Sequence, residues 1–137
     1  MGKGKLAGFM IAALAGIAAA VSGAWASDVD GTWKIKGVVL DIFDCHNSIC
    51  GKIVWTSDPW RRHTECGRTI VWGLTPNGPS TWTGGSIYDP DNNATYSLSA
   101  SLDTNGTMQA RIYRGIPWLG KTEVLSRIQP RSLDGWC

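Results

Sequence analysis

The chain has only two histidines in 137 residues, His46 and His63, and it lacks a Cys-x-x-Cys pair and a glycine-rich phosphate loop. Neither His stands in a nucleophile elbow or a metalloprotease motif, so no Ser or Cys is paired with a base. The missing phosphate loop excludes a nucleotide-binding α/β domain, and the missing Cys-x-x-Cys-His argues against haem attachment. Carboxylates are scattered among turn sequences, so no glycosidase-like pair can be nominated. Catalysis therefore ranks behind ligand binding and behind a structural or interaction role. At 137 residues the chain is also too short for two ordinary domains.

Charge is absent between Lys5 and Asp28. An apolar Ala/Gly-rich run follows Lys3 and Lys5 and ends in Ala24-Trp25-Ala26, with small residues where a signal peptidase reads. We expect residues 1–26 to be a signal peptide and residues 27–137 to form a single domain, periplasmic or secreted. The rival is an uncleaved anchor, since about 20 apolar residues can cross a bilayer; the Ala/Gly-rich composition and the cleavage pattern favour removal. No Cys follows the run, which argues against a lipid-anchored lipoprotein. Without Lys3 and Lys5 the chain has 11 Lys+Arg against 11 Asp+Glu. Such a balance gives no support to nucleic-acid binding.

Helical periodicity is also lacking beyond the leader, and alternation takes its place. In residues 94–102, Ala94, Tyr96, Leu98, Ala100 and Leu102 alternate with Thr and Ser, the period of a half-buried antiparallel strand. Met108, Ala110 and Ile112 repeat the pattern, and the Asn105-Gly106 between them predicts a hairpin whose turn uses the positive φ angles of that pair. Trp33 and Ile35, then Val38, Leu40 and Ile42, then Ile53 and Trp55, mark earlier strands. Residues 68–74, 80–88 and 119–128 complete about eight. All six prolines fall between these runs or at their ends. The expected fold is all-β, a small antiparallel meander of about eight strands closed into a barrel, with a small sandwich as the alternative. The barrel interior is either filled by side chains or open to one small ligand.

Four cysteines in a short exported domain point to disulfides. Cys45 and Cys50 flank a turn in which a hairpin brings opposite positions within bonding range. That pairs Cys45 with Cys50 and, by elimination, Cys66 with Cys137, stapling the tail onto the segment before Arg68. Zinc held by Cys45, His46, Cys50, His63 and Cys66 is the rival, disfavoured by ligand spacing and an oxidising compartment. Asp89, Asp91 and Asn93 imitate the start of a calcium loop but lack its Gly and distant Glu. They read as a polar turn, so no metal or cofactor is expected.

Seven of the eight tryptophans follow the leader. Trp33, Trp55 and Trp72 are in phase with aliphatic neighbours and are expected in the core. If the interior is open, the candidate ligand-lining residues are Trp55, Trp72, Trp82, Tyr96 and Trp118, with the small Ala94 and Ala100 leaving room. Trp118, in the apolar turn Ile116-Pro117-Trp118-Leu119, is placed to guard a barrel mouth or to form a partner patch. Arg61 and Arg62 make the one local basic cluster. They are candidates for an anion contact, although a solvated loop needs no function.

Several segments together resemble the bacterial exported family known as domain of unknown function 2147. They are Gly31-Thr32-Trp33, Cys45 with Cys50-Gly51-Lys52-Ile53-Val54-Trp55, Trp82-Thr83-Gly84-Gly85-Ser86-Ile87-Tyr88-Asp89-Pro90 with Thr95-Tyr96, and the run from Arg114 to Thr122 with Arg127. The loop after Trp55 departs from the family pattern, carrying Arg61-Arg62-His63-Thr64-Glu65. So does Leu125, where a Trp is usual, and so does the tail from Gln129 to Cys137. The resemblance implies a lipocalin-like barrel, since Gly-x-Trp on a first strand with an Arg near the last is also the lipocalin arrangement. It brings no catalytic residues. The first expectation is therefore a barrel binding a small apolar or amphipathic molecule; the second is a filled-core structural or interaction protein.

Overall fold

The alternating runs become strands because each buries one face and leaves the other to water. In the computed structural model, which describes residues 28–137, there are eight of them. They are β1 (Gly31–Ile35), β2 (Val38–Cys45), β3 (Ser48–Thr56), β4 (Thr69–Pro76), β5 (Thr81–Asp89), β6 (Ala94–Leu102), β7 (Met108–Tyr113) and β8 (Lys121–Arg127). Each pairs antiparallel with the next, and β8 returns to β1 to close the barrel. The expected signal peptide lies outside the described residues.

An antiparallel ring sends alternate connections to opposite ends. The β1–β2, β3–β4, β5–β6 and β7–β8 connections gather at one end. The β2–β3, β4–β5 and β6–β7 turns gather at the other, with Val29 and residues 128–130, where the tail begins.

That second end is closed by the Gly-x-Trp signature. Trp33 is fully buried, its indole N–H donates to the Val29 carbonyl at 2.8 Å, and its register partner is Arg127. The Arg127 guanidinium lies 4.2 Å from the Trp33 ring centroid. It also donates to the carbonyls of Asp30 and Asp28. Gly31 explains its own place in the motif: its φ is 128°, and a Cβ there would stand 3.0 Å from Arg127 Nη1. Only glycine accepts that backbone and leaves that space.

Several local expectations change. The β6–β7 loop spans five residues, and a turn closed by Gly106 N–H donating to Asp103 O at 3.0 Å needs a positive φ at Gly106 alone. Asn105 instead accepts the Thr107 N–H. In the β2–β3 hairpin, His46 and Asn47 take positive φ, and the register pairs Cys45 with Ser48 and Cys50 with Phe43. The cysteines are thus diagonal rather than opposite, and their Cα atoms are 5.9 Å apart. The second disulfide joins Cys66 to Cys137. It holds the tail along β3, where Cys137 N–H donates to Val54 O and the Trp55 indole to Asp134 O. The Arg61-Arg62 segment is a 3-10 turn (Pro59–Arg61), N-capped by the Asp58 side chain, running into a one-turn helix α1 (Arg62–Glu65).

Bulges decide which tryptophans are core. The β2–β3 register shifts between Val39 and Leu40, so Ile53 and Thr56 face inward and Trp55 points outward beneath the tail. Two shifts against β3 let the consecutive Ile70 and Val71 both face inward. Trp72 then falls on the outer wall, 40% exposed. An inserted residue flips every side chain beyond it, which is why Trp33 is core while Trp55 and Trp72 are not.

Candidate functional site

The barrel is not filled. A cavity of about 700 Å³ runs from the interior to the end where the β1–β2, β3–β4, β5–β6 and β7–β8 connections meet, the open end of the barrel, well inside the size range of small-molecule sites. Its deep wall is apolar. Leu40 and Ile42 come from β2, Ile53 from β3, Leu98 and Ala100 from β6, Met108, Ala110 and Ile112 from β7, and Leu125 from β8. These are the inward members of the period-two runs. Room is left because two alanines, Ala100 and Ala110, face each other across the β6–β7 ladder where larger residues would meet.

The mouth is polar and held by ion pairs. Glu123, two residues before Leu125 and so on the same inner face, takes Lys36 Nζ at 3.0 Å and Lys121 Nζ at 3.6 Å. Glu65 on α1 is 5% exposed and accepts from Arg61 Nε at 2.5 Å, while Arg61 Nη2 bonds Asp91. The hydrogen bond to Glu65, opposed by desolvation and reinforced by Asp91, holds the Arg61 guanidinium above its ordinary value. In the β5–β6 turn, Asp89 accepts from Asp91 N–H and the Asn92 amide. One lining cation differs: Arg114 stacks 4.8 Å from the Tyr96 ring centroid and has no carboxylate partner among the described residues.

The candidate residues named from sequence separate clearly. Tyr96, Ala100 and Arg61 line the cavity; Ala94 does not. Trp82 is 4% exposed and belongs to the core cluster, its indole N–H without an acceptor among the described residues. Trp55 and Trp72 are on the outside. Trp118 sits at the mouth in the 3-10 turn Pro117–Leu119, 75% exposed, and its neighbour Leu119 lines the opening. Arg61 is committed to two carboxylates. Arg62 packs under the tail, close enough that a Cβ on Gly135 would meet its guanidinium at 2.4 Å. All four cysteines are in disulfides, and among the described residues no group of three His, Cys, Asp or Glu is arranged to hold a metal.

Glu123, Lys36, Lys121, Glu65 and Arg114 were missed as site residues. Glu123 carried a readable signal, its phase with Leu125. Lys36 and Glu65 come from the β1–β2 and β3–β4 connections and Arg114 and Lys121 from the two ends of the β7–β8 one, so they meet only when the ring closes.

The family model described as "Uncharacterized protein conserved in bacteria (DUF2147)" matches residues 23–127. No curated protein matches the chain. Among solved structures, the Helicobacter pylori protein HP1028, described as belonging to the lipocalin family, superposes with a TM-score of 0.62 at 14% identity. The match covers 74% of this chain and 84% of that one. At that identity the likeness establishes a shared fold: a lipocalin-like barrel.

Proposed function

The chain belongs to this bacterial family, DUF2147, and from that premise we propose that it binds one small apolar or amphipathic molecule inside its barrel, in the bacterial envelope. The observation that carries the reading is the cavity of about 700 Å³, apolar in its depth and charged at its mouth. An empty apolar volume of that size is costly in a domain stabilised by its core, and a ligand filling it recovers the lost contacts. The polar end of the ligand lies at the mouth. Arg114 is the lining cation without a carboxylate, so an acidic group beside Tyr96 is the best-matched head. The oxidising compartment that two disulfides require and the expected leader together support an envelope location.

Because Trp55, Trp72 and Trp118 lie outside the lining, intrinsic Trp fluorescence is a poor reporter. Displacement of an environment-sensitive fatty-acid probe is the direct assay. Ala110→Trp places an indole in the cavity and should abolish probe binding while the far-ultraviolet circular dichroism stays that of the wild type. Equal binding by wild type and Ala110→Trp, or no binding of any probe, rejects the proposal.

A further inference from the structure

The exposed apolar side chains are unevenly placed. Among the described residues six large hydrophobic side chains are exposed: Trp60 (87%), Trp118 (75%), Leu119 (72%), Val124, Trp72 and Ile116. Trp72 and Val124 are on the outer wall. The other four are all on connections at the open end, and none of the described ones is at the closed end. Trp60 precedes α1 in the β3–β4 connection, and residues 116–119 form the β7–β8 connection. In a closed ring of eight strands those two connections are half a turn apart. Two apolar prongs therefore flank the mouth from opposite sides and define a plane across it.

The charges at that end are sorted as well. Lys36, Arg68, Arg114 and Lys121 are exposed, and Lys34 joins them by donating its ammonium to the Lys36 carbonyl. Most acids of the same end are turned inward or half-buried, namely Glu65, Glu123, Asp58 and Asp89, while Asp91, bonded to Arg61, and Asp134 on the tail are exposed. A rim of cations around interfacial Trp and Leu is the pattern that matches an anionic lipid surface. Indole rings settle at the headgroup level, and each nearby Lys or Arg adds attraction to anionic lipid.

We infer that the open end docks on an anionic bilayer leaflet, with Trp60 and residues 116–119 inserted and the cationic rim against the headgroups. The cavity mouth then opens onto the lipid, the source or destination of an amphipathic ligand. That last step rests on the binding reading above; the docking itself does not.

The test is cosedimentation with vesicles of equal parts phosphatidylglycerol and phosphatidylcholine, compared with pure phosphatidylcholine. Wild type should bind the anionic vesicles, and each of Lys36→Glu and Lys121→Glu should weaken binding by about fivefold or more. Trp60→Ser/Trp118→Ser should weaken it by about tenfold or more, since affinity scales with inserted apolar area. Both tryptophans are exposed, so that variant should keep the wild-type melting temperature. Val124→Ser, on the outer wall, should bind as wild type does. No binding to anionic vesicles overturns the inference, as does a double variant that binds like wild type or a Val124→Ser loss of the same size. A protein captured at this face without vesicle binding also overturns it. Probe displacement measured without vesicles keeps the cavity reading separate, because a protein that binds probe but ignores lipid refutes the docking alone.

Discussion

The two disulfides close loops of very different length, and their contributions should differ accordingly. Cys45 and Cys50 are 5 residues apart and Cys66 and Cys137 are 71 apart. If a crosslink acts by restricting the unfolded chain, the small loop contributes about 2 kcal/mol and the large one about 4 kcal/mol. The perturbation is paired removal, Cys45→Ala/Cys50→Ala against Cys66→Ala/Cys137→Ala. Alanine is preferred to serine because Cys50 is only 7% exposed, and a hydroxyl there would need a partner. At about 4 °C per kcal/mol for a domain of this size, the expected drops in melting temperature are roughly 8 °C and roughly 16 °C. Urea unfolding supplies a second readout. Releasing a long crosslink expands the unfolded ensemble, so the m-value should rise more for the Cys66/Cys137 variant than for the other. Thiol titration of unreduced wild type in denaturant should find no free cysteine. If the short-loop variant loses as much stability as the long-loop one, with unchanged m-values in both, the loop-closure reasoning is refuted.

Three further outcomes are expected. Arg127→Ala should lower stability by about 1–3 kcal/mol, since it removes the cation over Trp33 and two carbonyl contacts; Gly31→Ala should act in the same direction through its positive φ. Unfolding midpoints within error of wild type for both would contradict the closed-end account. Arg61→Ala strands the buried Glu65 carboxylate and should cost about 1–3 kcal/mol, whereas exposed His63→Ala should be near neutral by thermal melting. Arg114→Ala should weaken acidic amphiphiles by roughly 10- to 100-fold while leaving their neutral counterparts unchanged; a parallel loss for both in probe displacement would remove Arg114 as the head-group contact.

Much of the architecture was legible because it depends on short-range rules. The alternation from Ala94 to Leu102 coincides with β6 at both ends. Proximity in sequence paired Cys45 with Cys50, and elimination paired Cys66 with Cys137. The site was harder to read, for a specific reason. Counting by twos places Trp55 and Trp72 beside Ile53 and Ile70 as candidates for the interior, and it holds only while the ladder is regular. The shifts in the β2–β3 and β3–β4 ladders turn both indoles outward, and no single residue announces them. A cavity rich in tryptophan was therefore expected where an aliphatic one is found.

The amino-acid sequence by itself determined the strand class, the meander order, the disulfide partners and the Gly31-Trp33 signature that meets Arg127. Each of these follows from period-two burial, turn chemistry or a pattern within a few residues. Only the tertiary structure decided that the interior is open, that Tyr96 alone of the five candidate aromatic residues lines it, and that Lys36, Glu65, Arg114, Lys121 and Glu123 share one mouth. That mouth is assembled from four connections far apart in sequence, and the inward faces of β3 and β4 depend on bulges in their ladders. Both are properties of the closed ring rather than of any segment within it.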